Sequence, residues 1–140
     1  MGLIPYYLGD TSALARWKQP HVAERLLPLL EAGLVARCSI TDLEAGFSSE
    51  SPQAHLAMRQ GRSAFPFVAM SQSVLDRAVE VQDELASRSQ QRGVKIADLL
   101  IAAAAESVGL SVLHYDHNFD LIAGVTGQRV DWIVPAGTVA

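Results

Sequence analysis

The sequence is poor in cysteine and in long apolar runs, and each scarcity excludes a class of protein. Cys38 is the only cysteine among 140 residues, so no internal disulfide can form and we expect a reducing, cytoplasmic compartment. No apolar run reaches the roughly 18 residues that a bilayer span needs. The opening segment 1–6 also lacks the basic residues of an export signal. We therefore expect a protein that is neither exported nor membrane-spanning.

Positive charge is also scarce. Eleven Lys and Arg residues stand against fifteen Asp and Glu residues, which gives a formal net charge of −4. This is the wrong sign for a protein that holds nucleic acid by neutralising phosphates alone. If the substrate is a nucleic acid, a bound cation has to invert the charge locally.

The chain has the composition of a folded protein. Hydrophobic residues make up 49% and charged residues 19% of the sequence, and its glycines and prolines are scattered. A chain of this length buries roughly two-thirds of the surface that it exposes when unfolded. We expect one domain over residues 1–140.

Helical patterns alternate with short apolar runs along the chain. Strands are predicted at 5–8, 34–38, 65–70, 110–115 and 130–134, and helices from 11, at 20–31, 39–47, 52–61, 71–91 and 97–108. Pro28 predicts a kink or an early end of its helix. The alanine-rich helix 97–108 is apolar almost all round, so it should be central in the fold or in a dimer interface. The alternation predicts a three-layer α/β domain with a mainly parallel central sheet.

Four acidic residues come from four separate segments: Asp10, Glu44, Asp98 and Asp116. Three of them stand where a strand hands over to the next segment, at the sheet edge where α/β proteins bind ligands. Each also has a structural explanation. Asp10 can cap a helix, and Glu44 can form a capping box with Thr41. Asp98 lies in the first turn of its helix, where the helix dipole favours a carboxylate, and Asp116 can form an Asx-turn.

Carboxylates that converge at one edge repel each other unless a cation neutralises them. Oxygen ligands of this kind select Mg²⁺ or Mn²⁺, and such an ion supports cleavage of a phosphodiester. Arg16 and Lys18 are candidates for contacts with the phosphate backbone of such a substrate. His114 and His117 are close in sequence but lack further zinc ligands nearby, so we expect them in turn or surface roles.

Several segments together resemble the PIN-domain toxins of the VapBC type. They are the segments 8–14, 39–44, 96–105, 113–120 and 130–135, in the order of the family's own motifs. The resemblance implies an RNase toxin of a type II toxin–antitoxin system with a PIN-like α/β/α fold. It further implies catalysis by Asp10, Glu44, Asp98 and Asp116, with Mg²⁺ (or Mn²⁺) held by Asp10, Asp98 and Asp116.

The resemblance also implies partners, namely RNA, a VapB-like antitoxin and a second copy of the chain. We expect the antitoxin to lay an apolar helix in a groove near the active site and to place an arginine among the acids. We expect the homodimer to bury either the alanine-rich helix around Ala102 or the outer part of the 71–91 helix.

One position departs from the family pattern and leaves alternatives open. Many relatives carry an acid where this chain has Asn118, so fewer charges would hold the ion, or Asp120 would help instead. A catalytically silent PIN-like module that binds RNA or protein is the main alternative. A receiver-like domain would need paired acids after the first strand and a lysine after the last, and neither is present.

Overall fold

The computed structural model describes residues 4–140, in which short strands alternate with helices. Residues 1–3, on which part of the export-signal prediction rests, lie outside the described residues. The strands are β1 (Tyr7–Gly9), β2 (Val35–Cys38), β3 (Phe67–Val68), β4 (Ser111–His114) and β5 (Val130–Trp132). The helices are α1 (Thr11–Leu14), α2 (Pro20–Glu31), α3 (Ser39–Phe47), α4 (Pro52–Arg62), α5 (Gln72–Ser87), α6 (Ile96–Ser107) and α7 (Asn118–Thr126).

The five strands form one parallel sheet in the order β3-β2-β1-β4-β5. The chain builds outward from β1 through β2 to β3, and then returns to place β4 on the other side of β1. In the register, Tyr7 lies between Val35 of β2 and Ser111 of β4. This reversal makes the carboxyl ends of β1 and β4 the switch point, where open parallel sheets form a crevice.

Helices cover both faces of the sheet. Alternate strand residues point to opposite faces, so each strand contributes to two apolar cores. Leu8 and Val112 face an apolar core that includes residues of α5, α6 and α7. Val35 and Leu113 face a second core with Leu26 of α2. The prediction of three layers around a parallel sheet is confirmed.

The alanine-rich helix α6 is central in the fold. Ala102 is only 1% exposed, and the apolar core that it joins also contains residues of α5 and of the sheet. The expectation that a dimer buries the helix around Ala102 is therefore wrong, since the chain itself covers that surface. No helix within residues 4–140 is both long enough and apolar enough to cross a membrane.

Some predicted boundaries differ from the observed ones. Helix α2 continues past Pro28 to Glu31, and Pro28 and Glu24 are both exposed. Water can therefore replace the hydrogen bond that the proline denies to the Glu24 carbonyl. Strand β3 is shorter than the predicted run 65–70, and α5 ends at Ser87 rather than near residue 91.

Helix α7 was not predicted. The segment after Asp116 has the composition of a turn, but the Asp116 carboxylate accepts a hydrogen bond from the Asn118 N–H at 2.9 Å and α7 begins there. The helix ends at Gly127, whose φ of 73° lies in the left-handed region that glycine adopts without strain.

Candidate active site

Asp10 lies at the carboxyl end of β1, directly after Gly9. A Cβ on Gly9 would come within 2.8 Å of a methyl carbon of Val35, so this close approach of β1 and β2 requires glycine. Asp10 caps α1, as one structural explanation predicted, because its Oδ2 accepts from the Ser12 N–H at 2.9 Å. The Ser12 hydroxyl donates to the same oxygen and accepts from the Tyr115 N–H at 2.8 Å. Ser12 therefore ties the ends of β1 and β4 together.

Glu44 lies on α3, on its inner side, and is half-buried. The predicted capping box between Thr41 and Glu44 is wrong, because α3 already begins at Ser39. The Thr41 hydroxyl instead accepts from the Cys38 N–H at 2.9 Å. The Glu44 Oε1 accepts from the Thr11 hydroxyl at 3.1 Å, which holds the carboxylate beside the start of α1.

Asp98 and Asp116 are linked through Asn118. Asp98 lies in the first turn of α6, as predicted, and is 5% exposed. The Asn118 side-chain amide donates to the Asp98 Oδ2 at 3.4 Å. The Asn118 backbone N–H donates to the Asp116 Oδ1, which is the Asx-turn geometry that the sequence predicted. Asn118 thus contacts two of the four acids.

All four predicted acids line one cleft of about 260 Å³ at the carboxyl edge of the sheet. Two basic residues, Arg16 and Lys95, line the same cleft. Lys95 was missed by sequence reasoning, although its position three residues before Asp98 places it at the start of α6. Lys18 lies outside the cleft, with its ammonium 5.5 Å from the ring centre of Trp17.

The electrostatics of the cleft raise the pKa of three of the acids. Burial, together with the charges of Asp10 and Asp116, raises the pKa of Asp98 to about 6, against the lowering effects of Asn118 and Lys95. Burial also raises the pKa of Asp10, with a smaller contribution from the charge of Asp116. The pKa of Glu44 is raised by burial and by the charge of Asp10. Simultaneous ionisation of Asp10, Glu44 and Asp98 is therefore energetically unfavourable.

The chemistry of these donors fits a hard divalent cation, since carboxylate oxygens that repel each other gain most from one. Within residues 4–140, however, no three His, Cys, Asp or Glu side chains lie close enough to hold one ion as they stand. The acids line the cleft without converging, and carboxylate rotation would have to bring them to ligand distance.

Asp120 does not line the cleft. Its side chain is exposed, and its Oδ2 accepts from the indole N–H of Trp132 at 3.1 Å.

His117 is exposed, as expected, but a surface position for His114 is wrong, because this residue is completely buried. Burial lowers the pKa of His114 to about 4. Its imidazole does contact the turn, since Nδ1 accepts from the Asp116 N–H at 3.1 Å.

An apolar groove of about 390 Å³ adjoins the cleft, and Thr11 and Ala15 line both. Residues of α1, α3 and α4 form it, including Met58, and the exposed Trp17 stands at its side. Helix α4, which forms one wall, has no buried residue. Its last turn is held to α3 by Arg62, whose Nε donates to the Asp42 carboxylate at 2.8 Å.

Comparison with known proteins identifies the family. The model of the PIN domain matches residues 7–125. Ribonuclease VapC51 of Mycobacterium tuberculosis is 53% identical over 133 residues, which cover 95% of this chain and 96% of that protein. Ribonuclease VapC21 of the same organism is 47% identical, over 94% of this chain and 96% of that protein.

Solved structures agree in fold. The DNA-bound VapBC complex from Salmonella typhimurium contains a chain with a TM-score of 0.75 and 23% identity, covering 94% of this chain and 100% of that one. A toxin–antitoxin complex from Klebsiella pneumoniae gives a TM-score of 0.70 and 22% identity, covering 91% and 98%. The chain belongs to the PIN-domain family and resembles its VapC members over nearly its whole length, with the α/β/α fold that the sequence predicted.

Proposed function

We propose that this PIN-domain protein is a divalent-metal-dependent endoribonuclease and the toxin of a type II toxin–antitoxin system. The observation that carries the proposal is the cleft at the carboxyl edge of the sheet, which Asp10, Glu44, Asp98 and Asp116 line from four separate segments of the chain. The similarity to proteins named ribonuclease VapC supports RNA as the substrate. The buried free thiol of Cys38 is compatible with a cytoplasmic site of action.

Asp10, Asp98 and Asp116 would hold the ion, Mg²⁺ with Mn²⁺ as a substitute, because their oxygens are hard ligands and, within residues 4–140, none of the three forms an ion pair with Lys or Arg. When bound, such an ion stabilises the negative charge that develops on the phosphate during hydrolysis. Glu44 is held by Thr11, and burial raises the pKa of its carboxylate, which makes Glu44 a stronger base toward the proton of an attacking water.

Arg16 is the residue that we propose to bind the RNA phosphate at the edge of the cleft. Its Nη1 donates to the Ser12 carbonyl, its Nε donates to the Ala140 carbonyl at 3.0 Å, and its guanidinium carbon lies 4.7 Å from the ring centre of Tyr115. Among the described residues it makes no ion pair with the acids of the cleft. A guanidinium fixed in this way stays available to a phosphate and adds little ordering entropy to binding.

The partner that we propose for the apolar groove is an amphipathic helix of a VapB-like antitoxin. The groove runs into the cleft, so a helix seated in it can deliver an arginine to the four acids. The guanidinium would compete with Mg²⁺ for the same oxygens. Several solved structures of similar fold are described as VapBC or toxin–antitoxin complexes, which supports a partner of this kind.

We also propose a homodimer through the outer surface of α5 and the start of α6. A shallow apolar depression of about 260 Å³ lies between these helices, and Leu75, Val79 and Ile96 are exposed around it. Contiguous apolar surface of this kind is typical of an interface. This is the part of the predicted dimer surface that the chain does not cover itself.

RNA cleavage by the purified protein tests the proposed function. We expect cleavage in Mg²⁺, loss of cleavage in EDTA, and a rate at least about 100-fold lower for Asp98→Asn, because an amide neither neutralises nor binds the ion as a carboxylate does. Asp83→Asn, which changes an exposed acid of α5, is the matched control and should cleave normally. If the protein binds RNA but does not cut it in Mg²⁺ or in Mn²⁺, the result would favour the alternative of a catalytically silent PIN-like binding module.

A further inference from the structure

His114 is a buried titratable residue that the proposed function leaves without a role. It is the last residue of β4 and is completely buried. The centres of the Phe119 and Trp132 rings each lie 5.0 Å from the centre of its imidazole. A phenylalanine would also pack between these two rings.

The hydrogen bonds of His114 show that packing alone does not explain a histidine at this position. Its Nδ1 accepts from the Asp116 backbone N–H at 3.1 Å, so the proton of the neutral ring is on Nε2. The Nε2 atom is buried and has no hydrogen-bond partner within residues 4–140. A buried N–H without an acceptor is destabilising, and an apolar ring would avoid that penalty. What the histidine contributes is therefore the acceptor at Nδ1.

That acceptor is the first link in a chain of hydrogen bonds that ends in the cleft. His114 holds the N–H of Asp116, the Asp116 Oδ1 accepts from the Asn118 N–H, and the Asn118 amide reaches Asp98. His114 thus fixes the backbone N–H of Asp116, and Asn118 fixes the carboxylate of the same residue. Loss of the first link would free the backbone that carries the carboxylate.

We infer that His114 is a positioning residue, whose Nδ1 holds the backbone of Asp116 so that the Asp116 carboxylate faces the cation. This inference rests on the proposed function, in which Asp116 is a ligand of a divalent ion. Residues that orient a metal ligand in this way typically contribute 10- to 100-fold to metal affinity, according to the behaviour of other metal sites.

Two variants separate the hydrogen bond of His114 from its packing. His114→Phe keeps an aromatic ring of similar size and removes the acceptor. His114→Asn places an amide oxygen where Nδ1 was, and so keeps an acceptor while it leaves space between Phe119 and Trp132. The measurements are the dissociation constant of Mn²⁺ by calorimetry, the Tm, and the hydrogen exchange of the Asp116 N–H by ¹⁵N NMR in EDTA.

We expect the two variants to change opposite properties. His114→Phe should keep its Tm, lose protection of the Asp116 N–H and bind Mn²⁺ about 10- to 100-fold more weakly. His114→Asn should lower the Tm, keep protection of that N–H and bind Mn²⁺ within a few-fold of the wild type. If His114→Phe does not fold, weak Mn²⁺ binding by a folded His114→Asn overturns the inference, and near-normal binding supports it.

Wild-type Mn²⁺ binding distinguishes the failure of this inference from failure of the proposed function. A wild-type protein that binds no Mn²⁺ contradicts the metal site itself. If the wild type binds and His114→Phe binds equally well with the Asp116 N–H still protected, His114 is only a core residue. The same conclusion follows if Mn²⁺ affinity tracks the Tm in both variants.

Discussion

The neutral side chain of Asn118 limits the charge of the site. Its amide donates to one oxygen of Asp98 and its N–H donates to one oxygen of Asp116, so each acid has one oxygen already engaged by a protein donor. Asn118 is itself buried and carries no charge. One oxygen of each of the four acids is thus engaged by a protein donor, and within residues 4–140 no fifth acid lines the cleft, so we expect it to hold one divalent ion rather than two.

Replacement of Asn118 by aspartate should change the number of ions bound. Asn118→Asp adds a carboxylate next to Asp98, so the variant should unfold at a lower temperature in EDTA because the two charges repel. It should bind two Mn²⁺ ions where the wild type binds one, as counted by calorimetry. Asn118→Ala removes the donor without adding charge, so it should still bind one ion. Equal stoichiometry in the wild type and Asn118→Asp would contradict this view.

Helix α4 forms one wall of the apolar groove and is held to α3 by polar contacts. It buries no side chain of its own. Asp42 of α3 accepts from Arg62 at 2.8 Å and also pairs with Arg37 of β2. The Arg62–Asp42 pair joins α4 to α3 and is largely shielded from water, so it fixes α4 more firmly than an exposed pair would. The groove therefore has one wall of packed helices and one that is attached by charge.

Binding of an antitoxin helix should depend on the apolar lining of this groove. Met58→Glu places a charge among Leu14, Ala45 and Ala57, where an apolar helix would have to desolvate it. We expect the antitoxin to bind the variant at least about 10-fold more weakly, which is the factor that 1.4 kcal/mol represents. RNA cleavage by the free toxin should not change, since Met58 does not line the carboxylate cleft.

Leu27→Glu is the control, because Leu27 is an exposed apolar residue of α2 that does not line the groove. This variant should bind the antitoxin normally. If both variants bind it as tightly as the wild type, the antitoxin uses a different surface.

The sequence predicted the elements that local chemistry determines. Asp10 and Asp116 follow apolar strands, and both were placed at the carboxyl edge where the structure has them. Glu44 was predicted as either a cap or a site residue. The cap is excluded because α3 begins at Ser39, and the contact with Thr11, 33 positions away, holds the carboxylate beside α1. The burial of His114 depends equally on tertiary contacts, because a core histidine has no characteristic spacing. Strand order and the apolar groove likewise arise from packing between distant segments.

The outer surface of α5 is exposed in the folded chain, and a substitution on this surface can test the proposed dimer. Val79 is 60% exposed and lies beside Leu75 and Ile96. Val79→Glu should shift the protein to monomer in sedimentation velocity, because a charge at the centre of an apolar interface loses its hydration. Glu84→Gln, at an exposed position of α5 outside the depression, is the control. A wild-type protein that is monomeric at high concentration would contradict the dimer.

The stability of the whole molecule depends on pH through several buried groups, and Asp98 and His114 act in opposite directions. The pKa of Asp98 rises from 3.8 to about 6 on folding, so the folded state loses stability as the pH increases through this range. The pKa of His114 falls from 6.5 to about 4, so the folded state gains stability over nearly the same range. Each change corresponds to about 3 kcal/mol. The dependence of wild-type stability on pH therefore does not show the effect of Asp98 by itself.

The difference between the wild type and Asp98→Asn isolates the contribution of Asp98, because His114 is present in both proteins. In EDTA, the free energy of unfolding in urea should favour Asp98→Asn by about 3 kcal/mol more at pH 7 than at pH 4, since only the wild type ionises the buried Asp98 carboxylate over that range. Mg²⁺ should then stabilise the wild type at pH 7 and leave the variant nearly unchanged, because the ion binds the ionised form. Asp83→Asn should differ from the wild type by the same amount at both pH values. The difference in the free energy of unfolding between the wild type and Asp98→Asn could instead prove independent of pH and of Mg²⁺. The ionised Asp98 would then neither destabilise the fold nor bind the ion.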